Sequence, residues 1–527
     1  MSTRIEAAGE LPARVRSKSF DEEFDVVVVG YGYAGGIAAI EAADAGASVL
    51  LIEKMPDGGG ISILSGGSVR CADNAEDAFR YLKATNAGTT PDDVLRVLAD
   101  GMATAQDYVK KLADAVGATV IGHTLYSKKG ANYPFPGWQV FYHTKIGEVP
   151  GYDGANDYPQ IQTRPSAAGP QLFKVLQLHI AKRNVDVRYE TAAQRLVVGD
   201  DGAIHGVVID GKGGRKTVKA RRAVILACGG FEANEEMKRT FWQGKPVLTA
   251  AGRGNTGDGI RMAQAAGAAL WHMWHFHGTY GFKHPDPDYP YGLRPKRLPD
   301  WKPGLKNEMD VKMAWIVVDS AGKRFMNELP PYAQDTSHRP MDQFNPETMS
   351  YPRIPSWMIC DEDGRRMYPL GDGRSNDREY TYDWSEDNLK EIQNGILTQV
   401  GSIREMAEAM DVDEAVLENT IERWNDAVEA GDDDQFGRPP GSMMPIRKPP
   451  YIIARVYPIC SNTQGGPVHD ARQRILDAFG QPIPRLYAAG ELGSSFGHLY
   501  ISGGNVVECL VTGRVAAREA AGLQPWR

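Results

Sequence analysis

Four β-branched residues, Val26–Val29, run straight into Gly30-Tyr31-Gly32-Tyr33-Ala34-Gly35, and this junction constrains the fold more tightly than any other stretch of the chain. A run of valines suits a parallel strand buried on both faces. Residues 34–45 then carry Ile37, Ile40 and Ala43 on one helical face, with Gly46 placed as a C-cap. A second apolar strand, Ser48–Ile52, closes on Glu53. Gly30 permits the turn out of the strand, Gly32 lets backbone approach a pyrophosphate, and Gly35 lets the helix pack close to the sheet. Glu53 follows the glycines by about twenty residues, where an acid accepts hydrogen bonds from a ribose diol. Glycine turns alone are common, but strand, glycines, helix, strand and acid in this order point to a bound dinucleotide rather than to a bare βαβ turn.

The 527 residues, 42% of them apolar, suffice for two or three domains. No apolar run reaches the roughly eighteen residues that span a bilayer. The first twenty residues mix acids and bases without an apolar core, so neither a leader nor an anchor is expected, and the simplest placement is the cytoplasm. Cys71, Cys228, Cys360, Cys460 and Cys509 are scattered without CxxC spacing, as reduced and mostly buried thiols would be. A net charge of −8 and a pI near 5.8 argue against a nucleic-acid or anionic-membrane surface.

Along the chain, residues 1–20 read as a loose tail. Glycine-rich turns recur at Gly58–Gly60 and Ser65–Gly67, suited to backbone lying against a flat ligand. Helical patterns cover Ala75–Thr85 and Pro91–Val116, while Gly122–Tyr158, rich in Tyr, Gly, Pro and Trp, reads as surface loops. A helix over 167–184, a strand over 185–189 and a hairpin over 195–209 follow. Lys219–Leu226 is a further buried strand entering Ala227-Cys228-Gly229-Gly230, expected to pack near the first. Asn255–Gly259 opens a helix with Asp258 near its start. Composition then changes, and 272–448 reads as an inserted domain. The chain returns with Tyr451–Pro458, the strand Leu486–Ala489 and a last helix, Val506–Ala521. The expected boundaries are a tail to 20, a first nucleotide-binding segment over 21–271, the insertion over 272–448 and a second segment over 449–527.

The glycine fingerprint, VILACGG at 224–230, NTGDG at 255–259, AAGE at 488–491 and GGN at 503–505 together resemble the fumarate reductase and succinate dehydrogenase flavoprotein superfamily, which includes the 3-ketosteroid dehydrogenases. The likeness runs from about residue 22 to the end. It implies an α/β, α+β overall, architecture: a Rossmann-like FAD domain interrupted by an α+β capping domain, with the active site between them. Carried over, Gly30, Gly32, Gly35 and Glu53 hold the ADP half. Gly60, Ser62, Gly66 and Gly67 lie along the pyrophosphate and isoalloxazine, Asp258 serves the pyrophosphate side, and Glu491 takes a ribityl hydroxyl. Asn505 and Val506 start the final helix, whose positive end faces the flavin. Tyr33, Ala34, Lys54, Gly59, Ser65, Ala193, Ala227, Gly229, Asn255 and Gly504 are further implied cofactor contacts. Ile61 stands where relatives often carry Asn, and no His precedes Ser62 where some members attach flavin, so FAD is expected to be non-covalent.

Fumarate reductases place an arginine shortly before the GGN, whereas this loop reads His498-Leu499-Tyr500-Ile501-Ser502. Neither Ile nor Ser replaces a bidentate carboxylate clamp, which argues against a dicarboxylate substrate. Tyr-x-Ser-Gly resembles the 3-ketosteroid Δ4-(5α)-dehydrogenase loop, and GKRFMNE at 322–328 followed by Tyr332 resembles the segment carrying a catalytic tyrosine in steroid dehydrogenases. Tyr500, Ser502 and Tyr332 are therefore the candidate catalytic residues; otherwise Ser502 is an N-cap for the last helix. A phenol serves as base or carbonyl donor once its surroundings shift its pKa. His272, His275 and His277 suit no common zinc spacing, so no metal is expected, and they read as an aromatic pocket wall. His498 is left between substrate contact and packing. Asp432–Asp434 reads as a solvated loop. Three functions compete: a dehydrogenase acting beside the ketone of a bulky apolar, steroid-like ring, with an unidentified electron acceptor; an ene-reductase of an activated double bond; and a flavin-binding redox protein without turnover.

Overall fold

The computed structural model describes residues 15–17, 19–122, 132–164, 167–250, 252–298, 312–330 and 337–526. Its centre is an eight-stranded sheet in which Glu22–Val29 lies between Gly214–Leu226 and Val49–Ile52, flanked further out by Pro482–Ala488 and Val185–Arg188. These neighbours run parallel, and their ends share a register: Val29 sits beside Leu226 and Ile52, and Leu226 beside Ala488. All four glycine-bearing or acid-bearing loops, at residues 30, 53, 227 and 489, consequently leave from one carboxyl edge, where open α/β sheets bind ligands. Gly214–Leu226 pairs antiparallel with Ile204–Gly211 over its first half before joining the parallel sheet.

The first helix, Tyr33–Asp44, and the last, Gly504–Gly522, pack on one face of this sheet, and Asp92–Asp114 packs in turn against the last helix. Close approach explains two glycines between these helices. A Cβ on Gly513 would lie 2.7 Å from the Ala34 carbonyl oxygen, and one on Gly101 would lie 2.2 Å from Val511.

A second sheet of eight strands contains Ile316–Val318, Ser356–Cys360, Tyr451–Thr463, Phe276–Lys283, Gly292–Pro295 and Gly371–Asp372 in that order, with Leu248–Thr249 and Thr398–Val400 also paired to Tyr451–Thr463. Tyr451–Thr463, which begins at the stretch expected to open the second nucleotide-binding segment, is thus central to this second sheet, its apolar residues buried on both faces. Beyond this sheet's first strand, Arg324 is buried between Glu328 and Asp433, with Arg438 beside them. Asp433 is therefore a buried ion-pair partner, which corrects the expectation of a wholly solvated acidic run; Asp432 and Asp434 are exposed.

The stretch read as loops over 122–158 is also corrected. Phe141–Ile146 is a largely buried strand between Val69–Ala72 and Val120–Ile121, so its aromatic residues are core rather than loop. At the N-terminal end, Val15 bridges to Val197. The described cysteines are free thiols, four of them buried.

Candidate functional site

Gly30, Gly32, Tyr33, Ala34, Glu53, Lys54, Gly60, Ser62, Ala193, Ala227, Gly229, Asn255, Asp258 and Glu491 line one cleft at the carboxyl edge of the first sheet. Gly30 has φ +101°, and a Cβ there would meet the Ala227 carbonyl at 2.5 Å, so the turn admits only glycine. Gly32 is the N-cap of the first helix and carries no capping side chain, and the first turn holds no acid; Tyr33 N–H makes a long bond to Ser62 Oγ at 3.5 Å, so this helix end suits an anion. Glu53 accepts hydrogen bonds from the N–H groups of Tyr31 and Met55, each at 2.9 Å, and burial raises its pKa. Its carboxylate keeps further lone pairs for a diol. Lys54 donates to Asp258 and to Thr256, each at 2.6 Å, so Asp258 enters through an ion pair that the sequence did not disclose.

Eight expected contacts lie outside this cleft: Gly35, Gly59, Ser65, Gly66, Gly67, Gly504, Asn505 and Val506. Several have packing reasons. A Cβ on Gly35 would lie 1.8 Å from the Gly30 carbonyl oxygen, and one on Gly67 would lie 2.3 Å from the backbone of Ala168. Gly59 donates to the Tyr31 carbonyl at 2.7 Å, and Ser65 Oγ accepts from Gly67 N–H at 3.2 Å. Tyr33 turns its hydroxyl to the Gly169 carbonyl at 2.8 Å.

Sequence reasoning missed Glu232. It is fully buried, Asn255 Nδ2 donates to it at 2.7 Å and to Glu491 at 3.3 Å, and burial lifts its pKa to about 8. Glu491 accepts from Thr463 N–H at 2.8 Å and is raised by burial and by the neighbouring Glu232. Two desolvated carboxyls so close do not both ionise at neutral pH. Glu232 Oε2 and Asn505 Oδ1 are buried without a partner among the described residues. An acid for a diol, a helix N-terminus without an acidic cap, a lysine and a glycine cradle fit an adenine dinucleotide.

A second cluster forms where the loop before the last helix meets the strand Phe276–Lys283 of the second sheet. The Tyr500 ring stacks on His277, centroids 3.7 Å apart, and lies edge-on to Phe496. Its hydroxyl oxygen accepts the Gly503 N–H at 2.9 Å. Ser502 is engaged through its carbonyl, which accepts Arg70 Nε at 2.6 Å and faces His143 Nε2 at 3.0 Å. Gly503, not Ser502, is the N-cap of the last helix. Gln464 links His277 to Asn505, and Asn505 donates to Glu508 at 3.2 Å. Tyr332 lies outside the described residues.

The three cap histidines separate. His272 bonds the carbonyls of Ser494 and Thr89, His275 faces Arg339, and His277 alone of the three stacks on Tyr500. His498 packs against Trp274, and its carbonyl accepts from Arg339. Arg70 and His143 were also missed. Their one sequence signal is a lone Arg in the otherwise uncharged, fully buried strand Val69–Ala72.

A family model described as an FAD binding domain matches residues 25–507. The chain belongs to this FAD-binding family. FAD is its cofactor, and it is an FAD-dependent oxidoreductase of the fumarate reductase and steroid dehydrogenase superfamily. It is 28% identical to the 3-oxosteroid 1-dehydrogenase of Mycolicibacterium smegmatis, over 95% of this chain and 97% of that protein. It is equally 28% identical to a cytochrome-type fumarate reductase of Shewanella frigidimarina, over 94% of this chain and 77% of that protein. In fold it matches the 3-ketosteroid Δ1-dehydrogenase of Sterolibacterium denitrificans, with a TM-score of 0.77, 23% identity, and coverage of 95% of this chain and 99% of that one. No helix among the described residues is long and apolar enough to cross a membrane.

Proposed function

We propose that this flavoprotein dehydrogenates a CH–CH bond beside the ketone of a bulky apolar ring, a 3-ketosteroid or a molecule of similar shape. The observation that carries this is the Tyr500 phenol, whose oxygen is held by the Gly503 N–H at the start of the last helix. Removing a proton from carbon beside a ketone needs a base at that carbon, and an amide donor on a phenol oxygen favours its ionised form. Bound FAD, held without a covalent link, supplies the two-electron acceptor for the hydride.

In this scheme Tyr500 takes the proton, while His277 fixes its ring by stacking. Ser502 aligns the loop through its carbonyl, with its hydroxyl as the relay toward solvent. Tyr332 from the cap donates to the ketone oxygen. Lys54, Glu53 and the first helix hold the dinucleotide. The absence of an arginine between His498 and Gly503 supports a neutral substrate over a dicarboxylate.

A reductive role, saturating an activated double bond, draws support from the equal identity to the Shewanella fumarate reductase. Anaerobic mixing separates the two. Bleaching of the oxidised flavin band by a saturated 3-ketosteroid supports dehydrogenation, whereas reoxidation of chemically reduced enzyme by an enone with no bleaching in the first arm supports reduction. Failure of both arms overturns the ketone assignment.

A further inference from the structure

One peptide group joins two of the residues described above. The Ser502 carbonyl accepts Arg70 Nε at 2.6 Å, and the N–H of the same peptide, on Gly503, donates to the Tyr500 hydroxyl oxygen at 2.9 Å. His143, kept neutral because burial lowers its pKa to about 3, faces the same carbonyl at 3.0 Å and donates from Nε2. Arg70 is fully buried, and both of its Nη atoms lack a partner among the described residues. Burial lowers it only to about 10, so it stays cationic at neutral pH. A buried guanidinium without a carboxylate partner is costly, and its retention calls for a task.

The geometry points to Arg70 as a positioning residue that polarises the Ser502–Gly503 peptide and thereby favours the phenolate of Tyr500. A cation on a carbonyl oxygen strengthens the N–H at the other end of the peptide as a donor, and a stronger donor stabilises the anion it faces. The inference rests on the proposed role of Tyr500 as proton acceptor. It also answers the difficulty that an ordinary phenol, titrating near ~10, is a poor base at neutral pH.

Burial keeps the titratable groups packed about Arg70 and this peptide largely neutral. From Val69–Ala72 come Arg70 and the Cys71 thiol, which burial pushes up to about 12 and keeps neutral. From Phe141–Ile146 comes neutral His143, from Ala75–Asn86 the buried Tyr81, which like Tyr500 acts electrostatically on Arg70, and from Phe276–Lys283 the stacked His277. Glu508, on the last helix, is connected through Asn505 and is held up to about 7 by burial.

The test uses holoenzyme labelled with ¹³Cζ-tyrosine, the Tyr500 resonance being assigned by its loss in Tyr500→Phe. Wild-type Tyr500 is expected to titrate below the ordinary phenol value of ~10 in spite of its burial. Arg70→Met should raise that midpoint by about one unit or more, the usual effect of removing an adjacent opposite charge, and Arg70→Lys should stay nearer wild type. A wild-type midpoint at or above the ordinary phenol value overturns the inference without any variant, which covers the case of a poorly folding Arg70→Met. An unchanged midpoint in a stably folded Arg70→Met overturns it too, since a purely structural Arg70 would lower stability and leave Tyr500 alone. Because no turnover is read, failure here is distinct from failure of the dehydrogenase assignment: ketosteroids that bleach the flavin while Tyr500 titrates normally sink only this inference.

Discussion

Replacing Gly32 by Val separates a glycine needed for ligand from one needed for folding. Gly32 has φ −88° and ψ −162°, a backbone conformation open to any L residue. A Cβ there would meet Ser62 Oγ at 3.2 Å and nothing else nearer than 3.9 Å, so the apoprotein should lose less than ~1 kcal/mol. The same Cβ projects into the cleft, where a pyrophosphate at the helix N-terminus would lie. Losing two charge-assisted N–H bonds at roughly 1.5–3 kcal/mol each, and up to about 1 kcal/mol from the helix end, amounts to roughly 3–7 kcal/mol, or a ~10²–10⁵-fold weaker FAD complex. Gly35→Ala is the contrasting control, because its Cβ would sit 1.8 Å from the Gly30 carbonyl, backbone against backbone. That variant should cost the apoprotein ~1–3 kcal/mol or more by forcing helix from strand. The assay is the flavin-to-protein ratio after gel filtration, paired with urea unfolding of each apoprotein. Full flavin content in Gly32→Val, or an apoprotein as destabilised as Gly35→Ala, would refute the placement of the phosphate loop.

Tyr500→Phe should lower turnover by roughly 10²–10⁴ while FAD content persists, and near-normal flavin reduction in stopped flow would reduce the tyrosine to pocket wall. Fumarate and succinate should neither turn over nor bind tightly, which steady-state assays with a reduced dye check; enzyme-like rates of ~10 per second would undo the branch assignment. Acid precipitation should release yellow FAD into the supernatant, and colour left on the pellet would mean a covalent link. Glu508 is held at about 7 by burial against an ordinary 4.5, so the native state binds its proton more tightly than the unfolded chain does. Its contribution to stability is full below 4.5 and is lost as pH rises through about 7. Glu508→Gln should therefore flatten the urea midpoint across that window, by at most ~1.4 kcal/mol per pH unit, and an unchanged slope would contradict the burial effect.

The βαβ unit was legible because its information is contiguous. Strand, turn, helix and acid fall within about thirty residues, so the whole pattern can be read from one local stretch. The buried run ending at Leu226 was likewise readable as a strand near the first, and it pairs with it directly. Periodicity reports only which face of an element is apolar, so it did not reveal that Tyr451–Thr463 is central to the second sheet or that Phe141–Ile146 is a buried strand. Tertiary structure alone brought Glu232 to Glu491 and Lys54 to Asp258. It also joined Arg70, His143 and Tyr500 around a single peptide, with His277 stacked on the tyrosine. Such meetings depend on sheet register and on how the two large sheets and their helices pack, and those are set by packing summed over hundreds of residues rather than by any local pattern of side chains.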